Sequence, residues 1–287
     1  QPRVRAVRDM KVAVRGIGAW GPGFSDVEAL SALFEGGPMS EDAVTARPAP
    51  ACIPPRERRR APLSVKLAVA VAEQACERAG IAPSATVSVF ASGMGDMDIT
   101  DYMCRTLASD SPLVSPTKFH NSVHNAPVGY WSISQGAKRS SNAVAAFQHT
   151  VPASLLEAVT QCVTEGEPVL WASQDIVSPA PFRDIADIPE ACAFALLFEA
   201  EADGAPDAGA GSRMAESGWP LTFELVAGQG AWPNFDLPGS AGSRFRALYE
   251  HNPTARLLPL LALLGEGGAG AVSLPLNDHL DLRVERS

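Results

Sequence analysis

The chain has 287 residues, of which 46% are hydrophobic, so it can bury a core sufficient for one large domain, or one domain with an appendage. Its 32 acidic and 23 basic residues give a formal charge of −9. This charge argues against a nonspecific nucleic-acid or anionic-membrane surface, because phosphate contacts need clustered Lys and Arg. The five cysteines are widely spaced without a C-x-x-C pair, which argues against a disulfide framework or a zinc site. We expect no metal and no cofactor.

Targeting signals and membrane spans are also not expected. The richest apolar run, "RLLPLLALLG", is broken by Pro259 and is shorter than the roughly 20 residues that span a bilayer. The first residues, "QPRVRAVRDMKVAVRGIG", contain arginine but no apolar core before a cleavage site, so they do not resemble a secretory signal. The sequence therefore predicts a cytoplasmic location.

The first third of the chain predicts strand, helix, connection, helix and strand. The run "KVAVRGIGAWGPG" predicts a strand ended by glycines, and "DVEALSALFEGG" has the spacing of a short amphipathic helix. Repeated prolines in residues 45–62 predict a surface connection without regular structure. A long Ala-rich helix follows over residues 63–81, with Gly80 as its C-cap, and "TVSVFASGMG" predicts the next strand.

Three glycines in the first strand region, Gly16, Gly18 and Gly21, form a G-x-G-x-x-G run. The run departs from a dinucleotide site because Pro22 and Gly23 follow at once, and no acidic residue ends a second strand about 20 residues on. A turn is the simpler interpretation.

The middle of the chain alternates helices and strands. Residues 96–125 predict a polar helix and loop, and "APVGYWSISQG" predicts a helix. The stretch "NAVAAFQHTVPASLLEAV" then predicts a buried strand running into a helix, with Phe147 and Gln148 at the corner. Apolar strands "PVLWASQDIV" and "ACAFALLFEAE" follow. Continuous apolar strands alternating with helices predict a mostly parallel sheet covered on both faces.

The chain after Glu201 begins with a low-complexity stretch, residues 202–218, which we interpret as a linker. Behind it the sequence predicts a strand at "LTFELVAG", a helix near Arg256 to Leu264, and one alternating strand over residues 271–285.

The corner at Gln148 carries a resemblance to a known family. Asn125, Gly129 and Gly136 stand at the spacing N-x-x-x-G-x-x-x-x-x-x-G, and the segment "HNSVHNAPVGYWS" precedes the corner. These residues resemble the N-terminal half of the β-ketoacyl synthases, and carrying the register forward puts the position of the family's catalytic cysteine on Gln148. The resemblance implies an α/β, thiolase-like fold of layered α/β/α type, with a complete N-terminal half and a strongly truncated C-terminal half. Its implied divisions are a ketosynthase-like domain at 10–201, the linker at 202–218, and a short remnant at 219–287 packing on the same domain.

Gln148 departs from the family pattern in a way that bears on function. In the active family the thiolate takes an acyl chain as a thioester, which an amide cannot do. The family's two histidine motifs of the C-terminal half are also missing, since only His251 and His279 occur after Glu201.

With glutamine in place of the catalytic cysteine, the sequence resembles the chain-length factors, which are the non-condensing partners of active ketosynthases in type II polyketide systems. The segment "PTKFHNSVHNAPVGYWS" is similar to the ketosynthase-like subunits of bacterial aryl polyene clusters. The resemblance implies a heterodimer with an active β-ketoacyl synthase subunit, whose acyl tunnel this chain bounds, and an acyl carrier protein with a phosphopantetheine-linked chain.

Two other functions remain open. The first is an enzyme, a malonyl-thioester decarboxylase or acyltransferase that uses Gln148 with an unrecognised base. The second is a scaffold that binds the acidic acyl carrier protein through Arg56, Arg58, Arg59 and Arg60.

Further candidate residues follow from pattern and resemblance. By resemblance, the helix opening near Asp98 lies against the growing chain, and its tunnel candidates are Met97, Thr100, Tyr102 and Met103, for which ordinary core packing is the alternative. The two histidines of "HNSVHN" lack the third ligand that a metal site needs, so we expect interfacial hydrogen bonding at this segment instead. The interface candidates are His120, Asn121, His124, Asn125, Phe147 and Gln148. His149 has no Ser or Cys nucleophile to activate. We also expect residues 141–147 to form an edge strand that pairs with a partner.

Overall fold

A computed structural model describes residues 9–40, 43–201, 218–237, 242–265 and 268–286. Its strands are β1 (Met10–Trp20), β2 (Val87–Ala91), β3 (Ser141–Val144), β4 (Val169–Asp175), β5 (Cys192–Ala200), β6 (Trp219–Ala227), β7 (Gly270–Asn277) and β8 (Leu280–Arg286). They form one sheet in the order β3-β2-β4-β5-β1-β6-β8-β7.

The helices lie mostly on the two faces of this sheet. They are α1 (Val27–Phe34), α2 (Pro55–Arg60), α3 (Leu63–Ala79), α4 (Met97–Leu107), α5 (Pro116–His120), α6 (Ala126–Gln135), α7 (Thr150–Glu165), α8 (Gly242–His251) and α9 (Leu258–Gly265). Short 3₁₀ turns at Phe147–His149 and Pro253–Leu257 adjoin the candidate site. One core contains buried residues of α7 with one face of the strands, and the other contains those of α3 with the opposite face. The layered α/β/α arrangement is therefore as predicted.

Strand direction differs from the prediction. Strand β2 is parallel to β3 and β4, but every other neighbouring pair of described strands is antiparallel. The connection from β4 to β5, residues 176–191, contains no crossover helix, so the chain returns antiparallel. The continuous apolar runs of β4 and β5 reflect burial on both faces and not a parallel direction. The predicted mostly parallel sheet was therefore wrong.

Two glycines of β1 determine how closely α3 packs on the sheet. A Cβ atom at Gly16 would lie 2.0 Å from the Ala75 carbonyl oxygen, and one at Gly18 would lie 2.0 Å from the Val71 carbonyl oxygen. Only glycine fits at these positions, because any side chain would overlap the α3 backbone. The predicted turn at Gly16 and Gly18 was wrong, since both lie within the strand.

The predicted C-cap of α3 is confirmed. Gly80 adopts a left-handed conformation with φ 65°, and its backbone N–H reaches the last turn of the helix. The predicted absence of regular structure over residues 45–62 was wrong, because α2 forms there. Pro55 stands in its first turn, where a missing N–H costs nothing.

Two further predictions fail in the second half of the chain and at the corner. The single strand predicted over residues 271–285 is a hairpin, with β7 paired antiparallel to β8. Helix α8 was not predicted.

The strand before the corner is not buried, since β3 residues alternate between exposed and half-buried, but its predicted edge position is confirmed.

The last strands extend the same sheet, because β6 pairs with residues Met10–Val14 of β1. The division into domains at 10–201 and 219–287 stays a prediction. The linker prediction at 202–218 lies outside the described residues except for Gly218. Among the described helices, none has the length and apolar composition needed to cross a bilayer.

Candidate functional site

The corner between β3 and α7 is a fixed turn, Phe147–His149, which we call the elbow. Phe147 has φ 51°, the one positive value at a non-glycine position among the described residues. The Thr150 hydroxyl donates to the Phe147 carbonyl at 2.7 Å and accepts from the Ala146 N–H at 2.9 Å. A Cβ atom at Gly93 would lie 3.0 Å from the same carbonyl. The loop at Gly93 thus lies close to the elbow, and the two hydrogen bonds of Thr150 hold Phe147 in a conformation that bulky residues rarely adopt.

Gln148 occupies the middle of the elbow and is half-buried. Its amide oxygen is buried and accepts no hydrogen bond from the described residues. No cysteine lies in the elbow. Burial raises the pKa of Cys76 to about 12, and burial likewise raises that of Cys162 to about 12, so these thiols stay protonated at neutral pH. The elbow therefore holds an amide and no thiol, and an amide cannot form a thioester.

His149 points to the C-terminal strands. Its Nδ1 atom lies 2.8 Å from the Pro275 carbonyl oxygen, and because a carbonyl only accepts, Nδ1 carries a hydrogen. The imidazole also stacks on Trp232, with ring centroids 5.8 Å apart and an interplanar angle of 18°. His149 thus joins the elbow to the second half of the chain, and no nucleophilic side chain precedes it in the elbow.

Asp175, at the end of β4, organises the loops around the elbow. Its buried carboxylate accepts from the Ser92 hydroxyl at 2.8 Å, the Thr254 hydroxyl at 2.9 Å, and the backbone N–H groups of Gly93 and Met94 at 3.2 and 3.1 Å. Burial raises the pKa of Asp175. The carboxylate therefore fastens the loop after β2 to the turn that precedes α9.

Sequence reasoning missed Asp175. The available signal was a carboxylate ending the apolar run "VLWASQD", because Asp is rarely fully buried without dedicated donors.

Comparison with known proteins decides the family. The model of the β-ketoacyl synthase N-terminal domain matches residues 36–217, which is more than half of the chain. The chain belongs to the β-ketoacyl synthase N-terminal domain family. A search of curated proteins found no match.

Solved structures of ketosynthase complexes share the fold. A subunit of the ketosynthase ApeO in complex with its chain length factor ApeC, from Xenorhabdus doucetiae, is 21% identical with a TM-score of 0.66, covering 96% of this chain and 99% of that chain. A subunit of the ishigamide ketosynthase/chain length factor is 15% identical, also at 0.66, over 96% of this chain and 99% of that chain.

A chain of AntDE:AntF, a type II polyketide synthase acyl carrier protein in complex with its ketosynthase, is 13% identical, with a TM-score of 0.67 over 98% of this chain and 99% of that chain. These likenesses confirm the predicted thiolase-like fold of this ketosynthase-like chain.

The interface candidates His120 and His124 do not lie on one helix. Helix α5 ends at His120, whose ring meets that of Tyr130 edge-on at 6.4 Å between centroids. His124 lies beyond it, with Nε2 at 3.1 Å from the Ser92 carbonyl oxygen. Both histidines make internal contacts, and their role at an interface stays a prediction.

The two predicted asparagines also contact their own chain. Asn121 is buried and donates from Nδ2 to the Thr117 carbonyl at 3.0 Å. Asn125 precedes α6, and its carbonyl accepts from the Gly129 N–H at 3.1 Å. The first bond lies at the end of α5, and the second is a backbone bond of the first turn of α6.

The predicted tunnel candidates lie on different faces of α4. Met97 is buried in the core and Thr100 is exposed, whereas Tyr102 and Met103 are half-buried. The Tyr102 hydroxyl accepts from the Ser115 N–H at 3.0 Å, and the Lys118 ammonium lies 4.7 Å from the ring centroid. Only Tyr102 and Met103 combine bulk with partial exposure.

The predicted basic residues lie together on α2. Arg58 donates from Nη1 to the Pro50 carbonyl at 2.9 Å and is half-buried. Arg56, Arg59 and Arg60 are exposed. In the described ranges no group of three His, Cys, Asp or Glu side chains could hold a metal ion.

Proposed function

We propose that this chain is the non-catalytic, chain-length-factor-like partner of an active β-ketoacyl-acyl carrier protein synthase in polyketide, aryl polyene or fatty-acid-like biosynthesis. The observation that carries the proposal is that the elbow holds Gln148 and no cysteine, at the position that the resemblance assigns to the family's nucleophile. An amide forms no thioester, and the adjacent His149 is engaged with Pro275 and Trp232. The partner supplies the nucleophile.

The surface for this partner begins at β3. Within the described part of the chain β3 pairs only with β2, which leaves one edge of the sheet open. Six large apolar side chains are exposed in the stretch of chain from α4 to the elbow. Monomeric proteins rarely expose large apolar patches, so exposed apolar side chains favour an interface. The six are Leu107, Leu113, Phe119, Val123, Ile133 and Phe147. A second thiolase-like subunit would cover these side chains and pair with the open edge.

Tyr102 and Met103 are proposed to bound the partner's acyl tunnel, since both are bulky and half-buried on α4. The exposed Arg56, Arg59 and Arg60 are proposed to attract an acyl carrier protein. The complexes of similar structures, ketosynthases with a chain length factor or an acyl carrier protein, support this assignment at the level of fold.

Association tests the proposal. Co-expression with an active ketosynthase should give a stable complex, detected by co-purification and size-exclusion chromatography. Ile133, which is 84% exposed on α6, provides the test as Ile133→Lys, because a charge buried at an apolar interface has no partner there. We expect the affinity to fall at least about 10-fold.

The matched control is Ile185→Lys, at a 65% exposed position outside this surface, which should leave the complex intact. A well-behaved monomer without affinity for any ketosynthase would refute the proposal. Decarboxylation of malonyl-carrier protein by the isolated chain, abolished in Gln148→Ala, would instead support the enzyme hypothesis.

A further inference from the structure

A pocket lies next to the elbow, and one of its lining residues is Trp232, which stacks on His149. Its volume is about 470 Å³, within the range of small-molecule sites. Three aromatic side chains, Trp232, Phe235 and Tyr249, form its walls, together with the guanidinium of Arg256. Nothing in the proposed partnership with a ketosynthase uses this pocket.

Arg256 is a cation that forms no ion pair with the described residues, although the nearby charge of Glu250 acts to raise its pKa. Its guanidinium carbon lies 4.5 Å from the Trp232 ring centroid and 4.7 Å from that of Tyr249. Nη2 donates to the Glu250 backbone carbonyl at 2.9 Å, and Nε is buried without an acceptor. Across the described ranges, no carboxylate forms an ion pair with it. Burial lowers the pKa of Arg256, and a partly desolvated charge of this kind is stabilised by an anion.

The aromatic walls are held in place before any ligand arrives. The Tyr249 hydroxyl donates to the Pro233 carbonyl at 2.8 Å, and the Phe235 and Tyr249 ring centroids lie 5.4 Å apart. Trp232 stacks on His149, which Pro275 fixes in turn. A preformed site loses less conformational entropy on binding.

The rim carries charges of both signs, which sharpens the expected specificity. Asp236 pairs with Arg246 at 2.5 Å, so these two charges largely cancel. Glu250 is exposed and forms no ion pair in the described part of the chain. Its carboxylate therefore weakens, without cancelling, the attraction of the pocket for an anion.

We propose that this pocket binds a small organic anion, whose carboxylate or phosphate pairs with Arg256 and whose planar, apolar body packs against Trp232 and Phe235. The anion neutralises the one unpaired guanidinium on the wall, and the aromatic rings select for a flat body. Because Trp232 stacks on His149, the occupied pocket contacts the elbow through this ring pair.

Titration of the isolated full chain tests the proposal, with benzoate as the probe and benzamide as its neutral counterpart. Benzoate should bind saturably, with a dissociation constant of about 0.1–10 mM for so small a ligand, and benzamide at least about 10-fold more weakly. Inorganic phosphate should compete if a phosphate is the preferred group, whereas benzoate binding without competition assigns a carboxylate. Binding should also shift the ring resonances of His149 in NMR spectra.

Variants separate the role of Arg256 from a general effect of charge. Arg256→Met should weaken benzoate binding at least about 10-fold, whereas Arg246→Met, which removes the arginine paired with Asp236 and leaves that carboxylate uncompensated, should weaken it less than about 5-fold. Glu250→Gln should strengthen binding about 2–5-fold by removing a repelling charge. Thermal melting shows whether each variant is folded.

The proposal is overturned if benzoate shows no saturable binding, if benzamide binds equally well, or if Glu250→Gln weakens benzoate binding, which is the opposite of what removal of a repelling carboxylate should do. The comparison of benzoate with benzamide uses the wild-type chain, and Glu250→Gln alters an exposed side chain. Both tests therefore hold even if Arg256→Met fails to fold. Neither depends on a ketosynthase partner.

Discussion

Strands β5 and β3 belong to the same sheet but differ in what covers them. The first seven residues of β5 are all buried, whereas the four residues of β3 alternate between exposed and half-buried. Strand β5 lies between β4 and β1 with apolar cores on both faces, and β3 has β2 on one side only. The centre of the sheet is thus complete within this chain. The elbow end has an open sheet edge among the described residues, which is the surface that the proposed partner would cover.

The two regions also differ in the interactions that hold them. At the centre, apolar burial dominates, with side chains such as Trp171 and Phe194 fully buried. Near the elbow, hydrogen bonds of Thr150 and Asp175 fix the loops while Phe147 remains 43% exposed. Substitutions should therefore affect stability in the centre and association or local geometry at the elbow.

The largest expected effect is at the centre. Trp171→Ala on β4 removes a fully buried indole and leaves the Ser154 hydroxyl without the Nε1 donor at 2.8 Å. The free energy of unfolding should fall by about 3–5 kcal/mol in urea denaturation. Val144→Ala on β3 is the control and should cost about 1 kcal/mol or less. Equal losses in the two variants would show that the β3 end is as self-sufficient as the centre.

An intermediate effect is expected where the two regions meet. Asp175→Asn keeps the shape but turns one carboxylate oxygen into an NH₂ group. Each carboxylate oxygen of Asp175 accepts two hydrogen bonds, so two of the four donor groups would then face the NH₂ group and lose their acceptor. The free energy of unfolding at neutral pH should fall by about 2–3 kcal/mol, and Leu282→Ile, a buried change without polar groups, provides a control near 1 kcal/mol.

The same variant has a pH dependence of defined sign. Burial raises the pKa of Asp175 in the folded chain above its usual value near 3.8, so the folded state binds this proton more tightly than the unfolded state. The resulting stabilisation is fully present below that usual value and is lost as the pH rises through the raised pKa. The advantage of wild type over Asp175→Asn should therefore shrink with rising pH in urea titrations. An advantage that grows would mean that the four donors outweigh burial.

The smallest effect is expected in the elbow itself. Gln148→Ala removes an amide whose oxygen accepts no hydrogen bond from the described residues, so stability should change by about 1 kcal/mol or less. In a complex with an active ketosynthase, the condensation rate should stay within about 3-fold, whereas removing the partner's cysteine abolishes it. A loss of about 100-fold, the scale of a missing general acid or base, would assign Gln148 a direct part in the chemistry.

Local patterns in the sequence determined most of the helices and strands of this protein. The apolar runs of β4 and β5, the Ala-rich α3 with its Gly80 cap, and the register that places Gln148 in the elbow all follow from neighbouring residues. The family could be recognised from the same short stretches because the residues that carry the resemblance are close together in the chain. These features depend on interactions between residues a few positions apart.

Tertiary structure decided the features that join distant residues. Asp175 and Thr254 are 79 positions apart, and His149 and Pro275 are 126 apart, so no periodicity relates them. Strand direction depended on how the β4–β5 loop returns, and Gly16 had to be glycine because α3 crosses it. The position of Arg256 between the rings of Trp232 and Tyr249 depends on the packing of residues that are separate in the sequence. A sequence pattern records local conformation and burial, whereas these contacts depend on which elements become neighbours when the chain folds.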